Sequence, residues 1–307
     1  MDTAPYSVFL GDVALDEYYR AERWPSIREK LLVDTLPAVP GGMIANAACV
    51  AAALGMQVKF LAALNSGPIS RFLLDDLEKS GVDTSMVVFD DSLPDSKTMI
   101  YLVEGEHTIF IPRLGIQKLE ITPQQLEILA GAEFLYTTPT EIAPLRCGDM
   151  DSIAIIDYCR ARGVKLVYDL DVDYIRDGDE TRFQRLDIAF FNEAGFDSYR
   201  GLLSYDDAIQ RLQSYGIEVI VVTLAEKGCI AYTRDATYIA QARRVPVVDV
   251  TGAGDTFCAS FLYSLSIGGG VIVAVQFANV AASICVSGMG ARAGAVPAAV
   301  IEDILGL

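Results

Sequence analysis

The stretch Val248-Asp249-Val250-Thr251-Gly252-Ala253-Gly254-Asp255-Thr256-Phe257 places Gly252, Ala253 and Gly254 directly ahead of Asp255 and an apolar run of helical character. With two glycines and an alanine there is little side chain to fill the space, so backbone N–H groups at a helix start can point together at an anion. A carboxylate beside a bound phosphate is repelled unless it has a task, and accepting the proton of an attacking hydroxyl is such a task. The same residues also read as a Gly-rich turn capped by Asp, and the motif by itself does not separate the two.

Outward from this motif, strand and helix patterns alternate from Ser7 to the C-terminal part, which predicts a parallel sheet flanked by helices. Ser7 to Leu10 reads as a strand ending at Gly11. Gly42 to Leu54 reads as an Ala-rich helix, followed by a strand at Val58 to Ala62. Ile69, Phe72, Leu73 and Leu77 recur at helical spacing until Gly81. Later units are strands at Phe134–Tyr136, Lys165–Tyr168, Asp187–Phe191 and Ile217–Thr223, with helices at Ser152–Arg162 and Tyr205–Ser214.

Two segments break the pattern. Thr98 to Val103 and Thr108 to Ile111 are β-rich runs joined by Glu104-Gly105-Glu106-His107, an antiparallel hairpin with His107 in its turn. Leu15 to Leu36 is irregular, with Trp24-Pro25 and no helical face. Segments 13–37 and 97–112 are therefore expected to pair into a small sheet projecting from one domain that spans 1–307, placed as a lid over the strands' C-terminal ends. Its apolar residues Ile100, Leu102, Ile109 and Ile111 can close over substrate or pair with a second subunit, making a homodimer through the lid an expectation.

At 307 residues with 52% apolar composition the chain can bury a full core. A net charge of −17 excludes nucleic acid and anionic membrane as partners, because both are bound through clustered Lys and Arg. The apolar run Gly268 to Ser287 contains Gln276 and Asn279 and reads as a buried helix rather than a membrane span. No basic start precedes an apolar segment, so no secretory signal is read and a cytoplasmic location is expected. Cys49, Cys147, Cys159, Cys229, Cys258 and Cys285 are scattered without a CxxC pair, which points to reduced, buried thiols. The lone His107 has no triad partners in sequence, and no GxGxxG follows the first strand, which argues against a dinucleotide-dependent oxidoreductase.

Four separated patches together resemble the ribokinase-like (PfkB) family of carbohydrate and nucleoside kinases over nearly the whole chain. DVTGAGDTFCASF is similar to that family's most specific signature, which implies Asp255 as catalytic base and Gly252, Ala253 and Gly254 as the anion hole. Gly41-Gly42-Met43-Ile44-Ala45-Asn46 resembles the GGxxxN signature, and Asn46 offers donor and acceptor to a vicinal diol. Gly11-Asp12-Val13-Ala14-Leu15-Asp16 implies Asp16, assisted by Asp12, as acceptor of sugar hydroxyls, with Gly42, Asn46 and Glu141 completing the acceptor site. Thr223-Leu224-Ala225-Glu226-Lys227-Gly228 resembles the TLGxxG turn along the nucleotide, so Asn192, Thr223, Ala225, Gly228 and Asn279 are the implied nucleotide contacts. The positions of Asp249, Thr251, Cys285, Gly288 and Gly290 match those that hold a monovalent cation, K⁺, in ribokinase-type members.

The resemblance implies a ribokinase-like three-layer α/β sandwich with a mainly parallel central sheet and a β-sheet lid. It further implies transfer from MgATP to a primary hydroxyl of a small sugar or sugar derivative, with a nucleoside as the alternative acceptor. Three departures stand out. Asn192-Glu193-Ala194-Gly195 has Gly where the family's NxxE has Glu, leaving Glu193 to offer a carboxylate from a different angle. Asn65-Ser66-Gly67-Pro68-Ile69-Ser70 replaces the acidic GxDxxG turn. Ala14 and Met43 stand where ribokinase has Asn and Lys, so an acceptor other than ribose is expected. A catalytically silent sugar- or nucleotide-binding sensor is the rival that Gly195 favours and Asp255 disfavours.

Overall fold

The computed structural model describes residues 5–104, 106–171 and 180–306. Its main sheet has eight strands in the spatial order Thr237–Ala240, Cys229–Thr233, Val219–Thr223, Ile188–Asn192, Lys165–Leu170, Phe134–Thr137, Tyr6–Leu10 and Gln57–Leu61. All strands from Val219–Thr223 to Gln57–Leu61 run parallel, and the remaining two continue the sheet as antiparallel hairpins. Parallel strands are covered on both faces and so read as continuous apolar runs. Ile188 to Phe191 is buried at every position, with Phe190 packing in one layer and Phe191 in the other.

The layer under Phe190 holds the helices Met43–Leu54, Ala253–Ser266 and Val271–Val286; the opposite layer holds Pro123–Ala130, Ser152–Arg160 and Tyr205–Ser214. Each fully buried large apolar side chain contributes about 1.5–3 kcal/mol. Val271–Val286 buries Ala274, Ala278 and Ala281, small residues that let it lie close to its neighbours. Among the described residues no helix is long and apolar enough to cross a membrane. All six cysteines are buried and unpaired.

Tyr6–Leu10 pairs with Gln57–Leu61 on one side and Phe134–Thr137 on the other, so the winding of the sheet reverses there. Ligands of open α/β sheets bind beyond the strand ends at such a switch point. Gly11 and Asp12 leave that strand at its C-terminal end, directly over the crevice.

The small sheet is built from Asp34–Thr35, Ala14–Ala21, Lys97–Val103 and Glu106–Phe110, with Val39–Gly41 pairing to Ala14–Asp16. The segment read as irregular is therefore partly regular: Ala14–Ala21 is a strand whose parallel partner, Lys97–Val103, lies far along the chain. That the two segments pair is expected from the sequence; the parallel direction of the pairing is not. His107 belongs to a strand, opposite Leu102, rather than to the turn. Val103 already pairs with Glu106, and Glu104 adopts φ 54°, the left-handed conformation that short hairpin turns use. The strand ends at Phe110, leaving Ile111 outside it.

Candidate functional site

Two helices begin at the crevice, and each does so on a glycine. Gly252 precedes Ala253–Ser266 with φ 77°, and a Cβ there would fall 1.8 Å from the Ala291 carbonyl oxygen. Only glycine allows the chain to pass that closely. A Cβ on Gly254, by contrast, would meet nothing within 4 Å. The amides of Gly254 and Asp255 have no acceptor among the described residues, so the open first turn offers N–H groups and the positive end of a helix dipole to an anion. These features fit the phosphate chain of a nucleotide.

Gly42 precedes Met43–Leu54 with φ 101° and lies against the backbone of Asp12 and Val13. It has no side chain to cap the helix. Asp12 supplies the cap instead, accepting from the amides of Met43 and Ile44 at 3.0 Å each. The carboxylate expected to assist with sugar hydroxyls is thus committed to a helix start 31 and 32 residues away.

Asp255 is partly exposed in the first turn of its helix, and Asn46 Nδ2 donates to its Oδ2 at 2.9 Å. Arg292 Nε donates to Asn46 Oδ1 at 3.1 Å, and the same guanidinium is ion-paired with Asp76. Burial pushes the Asp255 carboxyl well above the usual carboxylate range; Asp169 and Asp12 push the same way, against the Asn46 hydrogen bond and the Arg292 charge. In the sheet beneath, Tyr136 donates to Asp169 Oδ2 at 2.5 Å, and burial raises Asp169 to about 6. Asp76, Tyr136, Asp169 and Arg292 were not singled out from sequence. Arg292 is an isolated cation in a run of small residues, and its importance lies in contacts across more than 200 residues.

Asp16 is buried beside Gly41, where a Cβ would fall 2.0 Å from the carboxylate, and burial raises it to about 6 against a hydrogen bond from Thr98. Glu141 lies in the short helix Pro139–Ile142, its amide donating to the capping Thr138; burial, helped by the Asp12 charge, pushes its carboxyl up to about 8. Asp12, Glu141 and Asp171 line a cavity of about 920 Å³ between the main sheet's C-terminal edge and the small sheet, with Lys97 and Arg113 opposite. Asp16, Asn46 and Asp255 lie outside that lining. A smaller cavity of about 210 Å³, bounded by Tyr6, Glu133 and Tyr263, contains none of the motif residues.

Of the residues implied for the nucleotide, Asn192 and Thr223 end neighbouring strands, Ala225 and Gly228 lie in the turn after Thr223, and Asn279 lies within the helix Val271–Val286. Asn192 Oδ1 accepts from the Gly195 amide at 2.6 Å, while its Nδ2 donates to Asp171 at 2.9 Å. A Cβ on Gly195 would fall 2.3 Å from the Leu170 carbonyl oxygen, so the glycine is imposed by backbone proximity. Glu193 is ion-paired with Lys227 at 3.1 Å on the surface. Thr223 Oγ1 donates to the Phe191 carbonyl at 3.3 Å, and Asn279 Nδ2 to the Gln241 carbonyl at 2.7 Å. Ala225 adopts φ 49°, the left-handed conformation for which its glycine counterpart is suited, and Gly228 follows at φ 97° against the Ala240 carbonyl.

The residues implied for the cation form one loop cluster beside the anion turn. Asp249 accepts from the Thr251 amide and hydroxyl at 2.9 and 2.7 Å and from the Gly290 amide at 2.9 Å. Cys285 Sγ donates to the Thr251 carbonyl at 3.5 Å, and the Gly288 amide to the Cys285 carbonyl at 3.0 Å. The available donors are chiefly carbonyl oxygens, suited to a weakly hydrated monovalent ion. Among the described residues no group of three or more His, Cys, Asp or Glu is placed to cage a metal. Mg²⁺ carried on phosphates and water needs no such cage.

Residues 5–299 match the pfkB family carbohydrate kinases. The chain is 25% identical over 294 residues to ribokinase of Staphylococcus aureus (strain COL), covering 93% of this chain and 95% of that one. It is 27% identical over 266 residues to 5-dehydro-2-deoxygluconokinase of Geobacillus thermodenitrificans (strain NG80-2), covering 80% and 78%. Its fold superposes on the solved structure of Arabidopsis thaliana ribokinase complexed with ribose and ATP with a TM-score of 0.84, at 23% identity and covering 99% and 100% of the two chains. With the ribokinase-like three-layer sandwich in place and the family match running over nearly its whole length, the chain belongs to the pfkB family of carbohydrate kinases, phosphotransferases whose acceptor is a sugar hydroxyl.

Proposed function

We propose that the protein phosphorylates a primary hydroxyl of a small sugar or sugar derivative, with Asp255 as general base and the Gly252-Ala253-Gly254 turn as anion hole. The observation that carries this reading is that Asp255, a half-buried residue, shares one helix turn with two amides that have no acceptor among the described residues. MgATP supplies the phosphoryl group to be transferred. Asp255 takes the acceptor hydroxyl's proton, and burial, which raises its affinity for a proton above that of an ordinary carboxylate, makes it a stronger base for that step. The Gly254 and Asp255 amides stabilise charge that builds on the transferring group.

Asp16, Gly42, Asn46 and Glu141 orient the acceptor, and Asp12 holds the helix that carries Asn46. Asn192, Thr223, Ala225, Gly228 and Asn279 flank the nucleotide, and the loop of Asp249, Thr251, Cys285, Gly288 and Gly290 holds a monovalent ion beside the anion turn. Segments 13–37 and 97–112 act as a lid within a single 1–307 domain; the cavity between the two sheets supports this. Ile109 and Phe110 are exposed on that sheet and Ile111 is exposed just beyond it, and a second copy pairing there would cover them.

The test is an ADP-release assay with Mg²⁺ and K⁺ across aldoses, ketoses, sugar acids, sugar phosphates and nucleosides, with Asp255→Asn as control. Sugar acids belong in the panel because Arg113 lines the cavity with no carboxylate partner among the described residues. Turnover with one acceptor class that vanishes in the control supports the reading. Undiminished turnover in the control overturns the base assignment, and turnover confined to nucleosides replaces the acceptor.

A further inference from the structure

We propose that Arg292 is a positioning residue for phosphoryl transfer: its guanidinium sets the orientation of the Asn46 amide, so that an N–H rather than a carbonyl oxygen faces Asp255. This rests on Asp255 being the base. An asparagine amide has one accepting and one donating end, whereas a guanidinium only donates. The end of Asn46 that meets Arg292 Nε at 3.1 Å is therefore its oxygen, and the end that meets Asp255 Oδ2 at 2.9 Å is its nitrogen. An N–H facing a carboxylate favours the charged form that can take a proton. A flipped amide would present oxygen, a partner only for a carboxyl group that already carries its proton.

The surroundings make this orientation matter. Asp12 faces Asp255 from the end of the first strand, Asp169 and Tyr136 from the neighbouring strands, Cys258 from its own helix and Cys285 from the next one. Arg292 is the cation among the groups acting on it. Asp76 on the helix Pro68–Lys79 anchors the guanidinium from the far side. Arg292 Nη2 is nevertheless buried with no hydrogen-bond partner among the described residues.

The experiment compares kcat, KM for acceptor and MgATP, and the pH dependence of kcat/KM in wild type, Arg292→Met, Arg292→Lys, Asp76→Asn and Asp255→Asn. Arg292→Met is expected to lower kcat about 10- to 100-fold, as small misplacements of catalytic groups do, with KM for MgATP little changed. Its acid limb moves up by about one pH unit. Arg292→Lys recovers part of both effects, and Asp76→Asn, which loosens the guanidinium without touching the site, moves the limb the same way by less. An unmoved limb in both Arg292→Met and Asp76→Asn overturns the proposal, even if activity falls through lost stability. If Asp255→Asn keeps its turnover, the base assignment has failed, which is a different result from an unmoved limb in an enzyme that needs Asp255.

Discussion

Asn46 and Asp255 stand 209 residues apart in the chain and are joined by one hydrogen bond of 2.9 Å between the first turns of two packed helices. The bond ties the GGMIAN helix start to the GAGD helix start. The first positions a donor and the second a carboxylate beside amides that have no acceptor among the described residues.

That carboxylate should impose an acid limb on activity. Burial raises Asp255 above the ordinary carboxylate range, and a general base works only when deprotonated, so kcat/KM should fall as pH drops through that raised value. Asp255→Asn should remove the limb and lower turnover by about 10²–10⁴-fold while nucleotide binding persists. Steady-state rates across pH, with calorimetric binding of nucleotide, check both parts.

Glu141 should make the ligand-free protein more stable at mildly acidic pH than at alkaline pH. Its carboxyl is raised from 4.5 to about 8 in the fold, so the folded state holds a proton that the unfolded chain releases. The contribution is fully present below about pH 4.5 and is lost as pH rises through about 8. Glu141→Gln, which stays neutral, should flatten the dependence of Tm on pH across that window and raise Tm at pH 9. Thermal melts of both proteins from pH 5 to 9 decide it; parallel curves would show that Glu141 titrates normally.

Restoring the family's glutamate at position 195 should harm the protein. A Cβ there falls 2.3 Å from the Leu170 carbonyl oxygen, so Gly195→Glu has to displace backbone at the end of a central strand. Overpacking of this kind costs about 1–3 kcal/mol. Urea denaturation should report that loss together with lower activity, whereas a stable variant with higher turnover would mean that the backbone there opens easily.

Ala225→Gly should stabilise. Ala225 is exposed at φ 49°, a conformation that costs a residue bearing a Cβ about 1–2 kcal/mol, so relief of that strain outweighs the glycine's greater freedom in the unfolded chain. The net gain should be about 0.5–1 kcal/mol by chemical denaturation.

Much of this protein is legible from residues close together in sequence. The alternation of apolar runs and Gly turns announces the parallel sheet, and the β-rich runs after Thr98 announce a hairpin that does form. Gly252, Gly254 and Asp255 announce a glycine-led helix start with a carboxylate in its first turn, because a helix terminus is assembled from neighbours in the chain. Such features depend on φ, on side-chain size and on spacing, which a short window contains.

Other features depend on which distant segments meet, and sequence windows do not contain that. The parallel direction and the register in which Ala14–Ala21 meets Lys97–Val103 are set between segments far apart in the chain. Asp12 looks like a free acid in a loop until the helix at Met43 arrives to use both its oxygens. Gly195 looks like a lost catalytic position until the Leu170 carbonyl is seen to fill the space. By itself the sequence determined the α/β architecture, the glycine turn at the helix start and the carboxylate beside it, since all three follow from local conformation and composition. Only the tertiary structure decided which way the Asn46 amide faces, which cation holds it and which acids are spent on capping, because hydrogen-bond direction and burial are set by groups that folding brings together from opposite ends of the chain.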